Sequence, residues 1–161
     1  IKTWKEALAG LKAAQVYSEK VIVEQFIEGF DYRMLVIDGK LIAAAKRTPA
    51  AVTGDGRRTI KQLIEEVNKD PRRGVGHAKE LTRITVDRHT RRILQSKNLT
   101  VDSVLPDGET FYLKSTANIS TGGTATDVTD IVHPYNQLLA ERVAGIVGLD
   151  VCGIDVMTTD I

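Results

Sequence analysis

The chain has 161 residues, of which 42% are hydrophobic and 27% charged, with 22 Lys+Arg against 21 Asp+Glu. These are globular proportions, excluding a disordered or fibrous chain, and a chain this long buries about two-thirds of its unfolded surface. No run of about 18 apolar residues occurs, so no membrane span is expected. The single cysteine, Cys152, excludes an internal disulfide framework and fits a reducing, cytoplasmic setting.

The N-terminal residues Ile1-Lys2-Thr3-Trp4 contain no signal peptide and no initiator Met, and Ile161 ends a strand-like run. The chain is therefore expected to be an excised piece of a larger protein. Thr3 and Glu6 form a capping-box pattern that opens a helix, with Trp4, Ala7, Leu8, Leu11 and Ala14 at helical spacing. Val21 to Ile27 predicts a strand, as do Tyr32 to Ile37 and Lys40 to Ala45. Asp38-Gly39 between the last two predicts a type I′ hairpin, which needs positive φ at both central positions.

Thr59 and Gln62 form a second capping box, followed by Ile60, Leu63, Ile64 and Val67 on one face. Pro71 to Lys79 contains two glycines and little to bury, and reads as a mobile loop. Leu81 to Val86 is a short strand candidate, and Asp87 is placed to cap a basic helix from Arg88 to Lys97. Thr110 to Lys114 predicts a strand, followed by the small polar loop Asn118 to Thr124. Pro134 opens a helix through Gly148 with Leu138, Leu139, Val143, Ile146 and Val147 as its apolar face, and Val151 to Met157 is the last strand. Interleaved helices and mostly antiparallel strands predict an α+β fold.

Charge is segregated. Arg57 to Lys97 holds 12 Lys+Arg and 5 Asp+Glu, while the remainder is acidic. Such a stretch is a solvated surface or an anion-facing lid. It contains no Phe, Tyr or Trp, so it lacks a stacking platform and nucleic acid is not an expected partner.

Individual residues carry the chemistry. Glu24 and Asp31 bracket a turn after an apolar strand, an arrangement suited to an adenine edge and ribose hydroxyls but also to plain surface carboxylates. Arg33 shares a face with Asp31, and Lys46 and Arg47 end the third strand, where facing cations suit a polyphosphate or carboxylate but also plain surface duty. Gly122 and Gly123 permit close backbone approach and exposed N–H groups, which suit an anion cradle but also a plain loop, with Lys114 just before it. Asp155 points to the opposite face from Cys152, Ile154 and Val156, so it is hydrated, paired, or bound to a cation. His77, His89 and His133 have no metal-ligand spacing.

Val23-Glu24-Gln25-Phe26-Ile27-Glu28-Gly29, Asp31-Tyr32-Arg33, and Pro49 with Gly54-Asp55-Gly56 resemble an ATP-grasp ligase. Asn68-Lys69-Asp70-Pro71-Arg72-Arg73-Gly74, Asn118-Ile119-Ser120-Thr121-Gly122-Gly123 and Gly153-Ile154-Asp155-Val156 resemble, more specifically, the ATP-grasp region of the cyanophycin synthetase family. Related motifs occur in bifunctional glutathione synthetases; Thr116-Ala117, Gly123-Thr124-Ala125 and His133-Pro134 tilt the resemblance toward the former.

The resemblance implies an α+β ATP-grasp fold divided into a lid-type subdomain (1–70), a basic mobile segment (71–97) and a partial core lobe (98–161). It implies a carbon–nitrogen ligase using ATP and magnesium: a polyaspartate carboxylate becomes an acyl phosphate, and the amine of aspartate attacks it. Glu24, Gln25, Phe26 and Ile27 would line the adenine pocket, Asp31 would hold the ribose, and Asp155 would be a magnesium carboxylate. Arg47, Lys114 and the loop with Ser120, Gly122 and Gly123 would stabilise phosphate or substrate anion. The implied partners are ATP, an acidic amino-acid polymer and aspartate, with a homo-oligomer possible in the full enzyme. The family's glycine-rich phosphate loop and its Glu-x-Asn are not in this sequence, and Ala51 stands where a His or Asn is expected. The piece alone is therefore expected not to catalyse ligation. A glutathione-synthetase type of ligase and a non-catalytic anion-binding module are the alternatives.

Overall fold

The computed structural model describes residues 3–76 and 78–161; Ile1 and Lys2 of the N-terminal run, and His77, lie outside the described residues. Helix α1 (Trp4–Gln15) starts at the predicted cap, where the Thr3 hydroxyl accepts from the Glu6 N–H. None of its residues is buried, including the apolar stripe.

Strands β1 (Phe30–Ile37) and β2 (Lys40–Thr48) form the hairpin, and Asp38 and Gly39 both take positive φ (48° and 70°), the turn geometry their identities predict. Register shifts between Leu35 and Val36, where the pairing passes over Ile42. Strand β8 (Val151–Thr158) pairs antiparallel with the other side of β1. Strand β7 (Thr124–Asp127) pairs with β2, completing a four-stranded sheet in the order β7-β2-β1-β8. The fold is α+β, as the pattern of elements predicts.

Helix α4 (Pro134–Val147) covers one face of this sheet and ends at Gly148, which has the left-handed φ of 73° that a helix-ending glycine supplies. The core beneath it comprises Tyr32, Met34, Val36, Ala44, Ala140, Ala144 and Ile161. The Glu141 carboxylate accepts from the Leu41 N–H, fastening helix to sheet. The face of α4 differs from the expected one. Ala140 and Ala144 meet the sheet, whereas Leu138, Leu139, Val143, Ile146 and Val147 remain exposed, Ile146 to 77%. Leu139 and Val143 border the same face beside Met34 and Ile154 without being sealed by it, so the two alanines alone are buried.

A second core is built from Val52 of β3 (Ala51–Thr53), Ile60, Leu63 and Ile64 of α2 (Ile60–Val67), Leu94 of α3 (Arg88–Ser96) and Phe111 of β6 (Thr110–Tyr112), with Ile84, Leu105 and Leu113. Both helix starts follow the sequence. Thr59 and Gln62 exchange the two bonds of a capping box, and the Asp87 carboxylate accepts from the Thr90 N–H. The stretch read as a mobile loop is partly built in: β4 (Arg73–Gly74) and β5 (Leu81–Thr82) form a short parallel ladder, and Arg73 and Gly74 are buried. Strand β5 is also shorter than the expected Leu81 to Val86.

The predicted strand Val21 to Ile27 does not form: these residues have no ladder partner, and Phe26 is 85% exposed. Sequence propensity favours an extended chain here, but a strand exists only where a neighbour accepts its hydrogen bonds.

Leu94 fills the second core completely, so Leu94→Ala is expected to lower unfolding free energy by about 2–5 kcal/mol in urea titrations, while Ile146→Ala changes it by no more than about 0.5 kcal/mol. Asp55 accepts from the backbone N–H groups of Arg58 and Arg57 and from the Arg58 guanidinium, which hold its carboxyl down to about 2. A depressed folded-state pKa adds stability that is complete above the unfolded value of about 4 and drains away as pH falls toward 2. The urea midpoint of the wild type should therefore fall more steeply between those pH values than that of Asp55→Asn; parallel curves would contradict this.

Candidate active site

Alternation along β1 sends Asp31 and Arg33 to the sheet face opposite α4, and along β8 it sends Asp155 there too. Register then juxtaposes them. Asp31 lies opposite Arg47, and Arg33 opposite Asp155. Arg33 grips Asp155 with both arms, Nε to Oδ1 at 2.5 Å and Nη2 to Oδ2 at 3.1 Å. Arg47 bridges the two carboxylates, its Nη2 lying 2.5 Å from Asp31 Oδ1 and 3.1 Å from Asp155 Oδ1. Two cations and two anions thus form one chain of ion pairs across three strands.

The members are unequally solvated. The Arg47 side chain is 15% exposed and that of Asp155 is 56% exposed. The hydrogen bond from Arg33 and the charge of Arg47 hold the Asp155 carboxyl below the usual carboxylate range. The Arg33 guanidinium is correspondingly pushed up by its bond to Asp155.

Beside this network opens a cleft of about 700 Å³, a size suited to a nucleotide-sized ligand. Its wall runs from Gly29, Phe30 and Asp31 through Lys46, Arg47 and Pro49 to Lys114 and Asn118. The Lys46 ammonium sits over the Phe30 ring, 3.4 Å from its centroid. The Lys114 side chain is only 4% exposed, and its Nζ donates to Asp87 Oδ2 at 2.6 Å. That bond, first among its causes, holds the Asp87 carboxyl well below its ordinary range. Asp87 therefore does two things: it caps α3 and it anchors the cleft lysine.

Asp31, Arg47 and Lys114 line the same cleft, and Asp155 is in contact with Arg47. Glu24, Gln25, Phe26 and Ile27 do not line it; they lie in the irregular exposed stretch before Gly29. Ser120 is exposed in a 3₁₀ turn (Ile119–Thr121). Gly122 takes φ +97°, and a Cβ on Gly123 would come within 2.7 Å of the Thr48 carbonyl, so the glycines do serve a close approach. Their N–H groups, however, are not open to an anion: that of Gly122 donates to the Ile119 carbonyl and that of Gly123 to the Asn118 carbonyl. A tight turn consumes the donors that an open loop would have presented.

Sequence reasoning missed Asp87 as the partner of Lys114 and Asn118 as a cleft residue. Asp87 was visible only as a cap, because its second partner is 27 residues away.

Among the described residues, no group of three His, Cys, Asp or Glu side chains is placed to hold a metal ion. Magnesium often takes one or two carboxylates and completes its shell with phosphate oxygens and water. Asp155 is half-exposed but both its oxygens are bonded to Arg33, so it makes no site for the free ion, and a magnesium delivered with a nucleotide would have to displace those bonds. No described helix is long and apolar enough to cross a membrane.

No family model matches the chain. It is 52% identical over all 161 residues to the cyanophycin synthetase of Trichormus variabilis, and covers 18% of that protein. Over 96% of its length it is 39% identical to the glutathione biosynthesis bifunctional protein of Listeria innocua, covering 20% of it. The crystal structure of a bifunctional glutathione synthetase from Pasteurella multocida superimposes on 84% of the chain with a TM-score of 0.72 and 32% identity, over 18% of that structure. The chain thus spans about a fifth of the length of the relatives it matches. Fold and sequence together identify it as an ATP-grasp segment, similar over its whole length to cyanophycin synthetases.

Proposed function

We propose that this chain is part of an ATP-dependent carbon–nitrogen ligase that activates the carboxylate of an acidic amino-acid polymer and joins it to aspartate. One observation carries the reading: Asp31, Arg47 and Lys114 converge on one cleft, with Asp155 bound to its arginine. Phosphoryl transfer to a carboxylate relies on fixed positive charge where negative charge gathers. Arg47 and Lys114 supply such charge, each held by a carboxylate that limits its motion. Bound magnesium would supply charge neutralisation on the nucleotide phosphates, and Asp155 is the residue that would hold it.

In this reading Asp31 accepts from ribose hydroxyls at the cleft edge. Glu24, Gln25, Phe26 and Ile27 form the adenine pocket only if the stretch before Gly29 gains a partner. Ser120 offers its hydroxyl to the substrate anion, and Gly122 and Gly123 shape the turn that presents it. Ligation of the glutathione-synthetase type is the second reading, supported by the structural match. Profiling the full-length protein with aspartate-containing polymers and with short thiol peptides separates the two.

The basic stretch supports an acidic substrate. Arg58, Lys69 and Arg72 are paired to Asp55, Glu66 and Asp70, whereas α3 carries exposed Arg88, Arg91 and Arg92 and no acidic residue. The helix adjoins the cleft through Asp87 on Lys114 and His89 on Ser115.

In the full-length enzyme, Asp155→Asn is expected to lower ATP-dependent phosphate release by about 10²-fold or more with a normal melting temperature. Undiminished turnover would sink the assignment. Arg91→Glu with Arg92→Glu is expected to raise KM for an acidic polymer several-fold, and to flatten its salt dependence, while leaving KM for ATP unchanged; an unaltered polymer KM would contradict the role of α3.

A further inference from the structure

Arg73 is the most deeply buried arginine among the described residues, at 5% exposure, and no carboxylate forms a salt bridge with it there. Its Nη1 donates to two carbonyls, Thr82 O at 2.7 Å and Gly122 O at 2.9 Å. Its Nε is buried without a partner. Burial pushes the guanidinium pKa down, the sign of a cation held at a cost. An apolar side chain of similar volume would fill the same space without that cost. The charge therefore needs a reason other than packing.

Its bonds supply one. Thr82 belongs to β5 and Gly122 to the turn beside the cleft, 49 residues further along the chain from Arg73. The turn is wedged in place. A Cβ on Gly122 would come within 2.8 Å of Ile84, and Ile84 is itself clamped, because the Asn68 side chain bonds both its N–H and its carbonyl. Asn68 and Arg73 are thus two fasteners of one assembly, and both act on the ground beneath the 118–124 turn.

We propose that Arg73 is a positioning residue for the acceptor substrate: it fixes the 118–124 turn against β5 and places a buried positive charge behind it. This rests on the ligase reading above. The substrate bound at the turn is a carboxylate-bearing amino acid or peptide, and the nucleotide makes no use of Arg73. Arg73 acts through the Gly122 carbonyl and does not touch the reacting atoms.

The test is made in the full-length enzyme with Arg73→Met, which keeps the bulk, and Arg73→Lys, which keeps the charge and can reach one carbonyl. Arg73→Met is expected to raise KM for the acceptor by about tenfold or more, since small displacements of a positioning element are costly. KM for ATP should stay within about twofold, and Arg73→Lys should recover part of the loss. Hydrogen exchange of the peptide spanning 116–126 should quicken in Arg73→Met, with exchange around α4 unchanged. Equal rises in both KM values, no recovery by lysine, or unchanged exchange in 116–126 would each overturn the proposal. If Arg73→Met does not fold, the same KM split and exchange in Arg73→Lys decide it, with smaller shifts expected and none refuting it. If the wild type shows no ATP-dependent ligation, the ligase reading fails, and exchange in 116–126 still decides whether Arg73 holds the turn.

Discussion

The register of β1 governs the molecule. Its even residues, Tyr32, Met34 and Val36, are sealed under α4, while Asp31 and Arg33 face the other way into the ion-pair chain. A slip of one residue would put the arginine into the core and the methionine into water. Two features prevent it. The Asp38-Gly39 turn fixes β2 against β1, and Tyr32, Met34 and Val36 are buried in the core under α4. Core and candidate site are two readings of the same alternation, so what stabilises one places the other.

The second core plays a different part. It supplies the far wall of the cleft, where Lys114 is buried beside the exposed Ser115, Thr116 and Asn118. Lys114 follows Leu113, a fully buried residue, so its backbone is fixed by the core and its ammonium must find a partner nearby. Asp87 is that partner because the start of α3 puts it there. Helix α3 is oriented in turn by Leu94 and Thr90 on its buried side, which leaves its arginines outward. A basic stretch that looks uniform in composition thus includes a buried arginine, Arg73, cations tied to local carboxylates, and exposed arginines on one helix.

Much of this was legible in the sequence, and the rest failed for identifiable reasons. Local chemistry was readable: the Thr59–Gln62 box, the Asp87 cap, the Asp38-Gly39 turn and the Gly148 stop all act within four residues. Strands β3 and β7 were not foreseen, because Ala51 to Thr53 and Thr124 to Asp127 have little apolar pattern and owe their conformation to neighbours. Val21 to Ile27 failed in the opposite sense, having pattern without a neighbour. The face of α4 misled because hydrophobicity ranks leucine above alanine, while close packing on a sheet prefers the smaller residue. At the site, Asp155 stood out by alternation alone, but its partner Arg33 is 122 residues distant and no local rule connects them.

That pairing constrains how any ligand enters. The network balances two positive side chains with two negative ones, so it carries no net charge to attract a bare anion. An anion taking Arg33 leaves Asp155 with Arg47 alone; a cation taking Asp155 leaves Arg33 unpaired. Either exchange taken singly gives up a bidentate bond and leaves one charge to water, at a small cost for Arg33 and Asp155, whose side chains are 47% and 56% exposed, and a larger one for the 15% exposed Arg47. A cation and an anion arriving together remove the penalty, because each arginine and each carboxylate gains a new partner as it gives up the old one. In the proposed ligase the ion-pair chain would therefore favour a ligand that carries both charges, and the strand register that closes the core is what sets that chain in place.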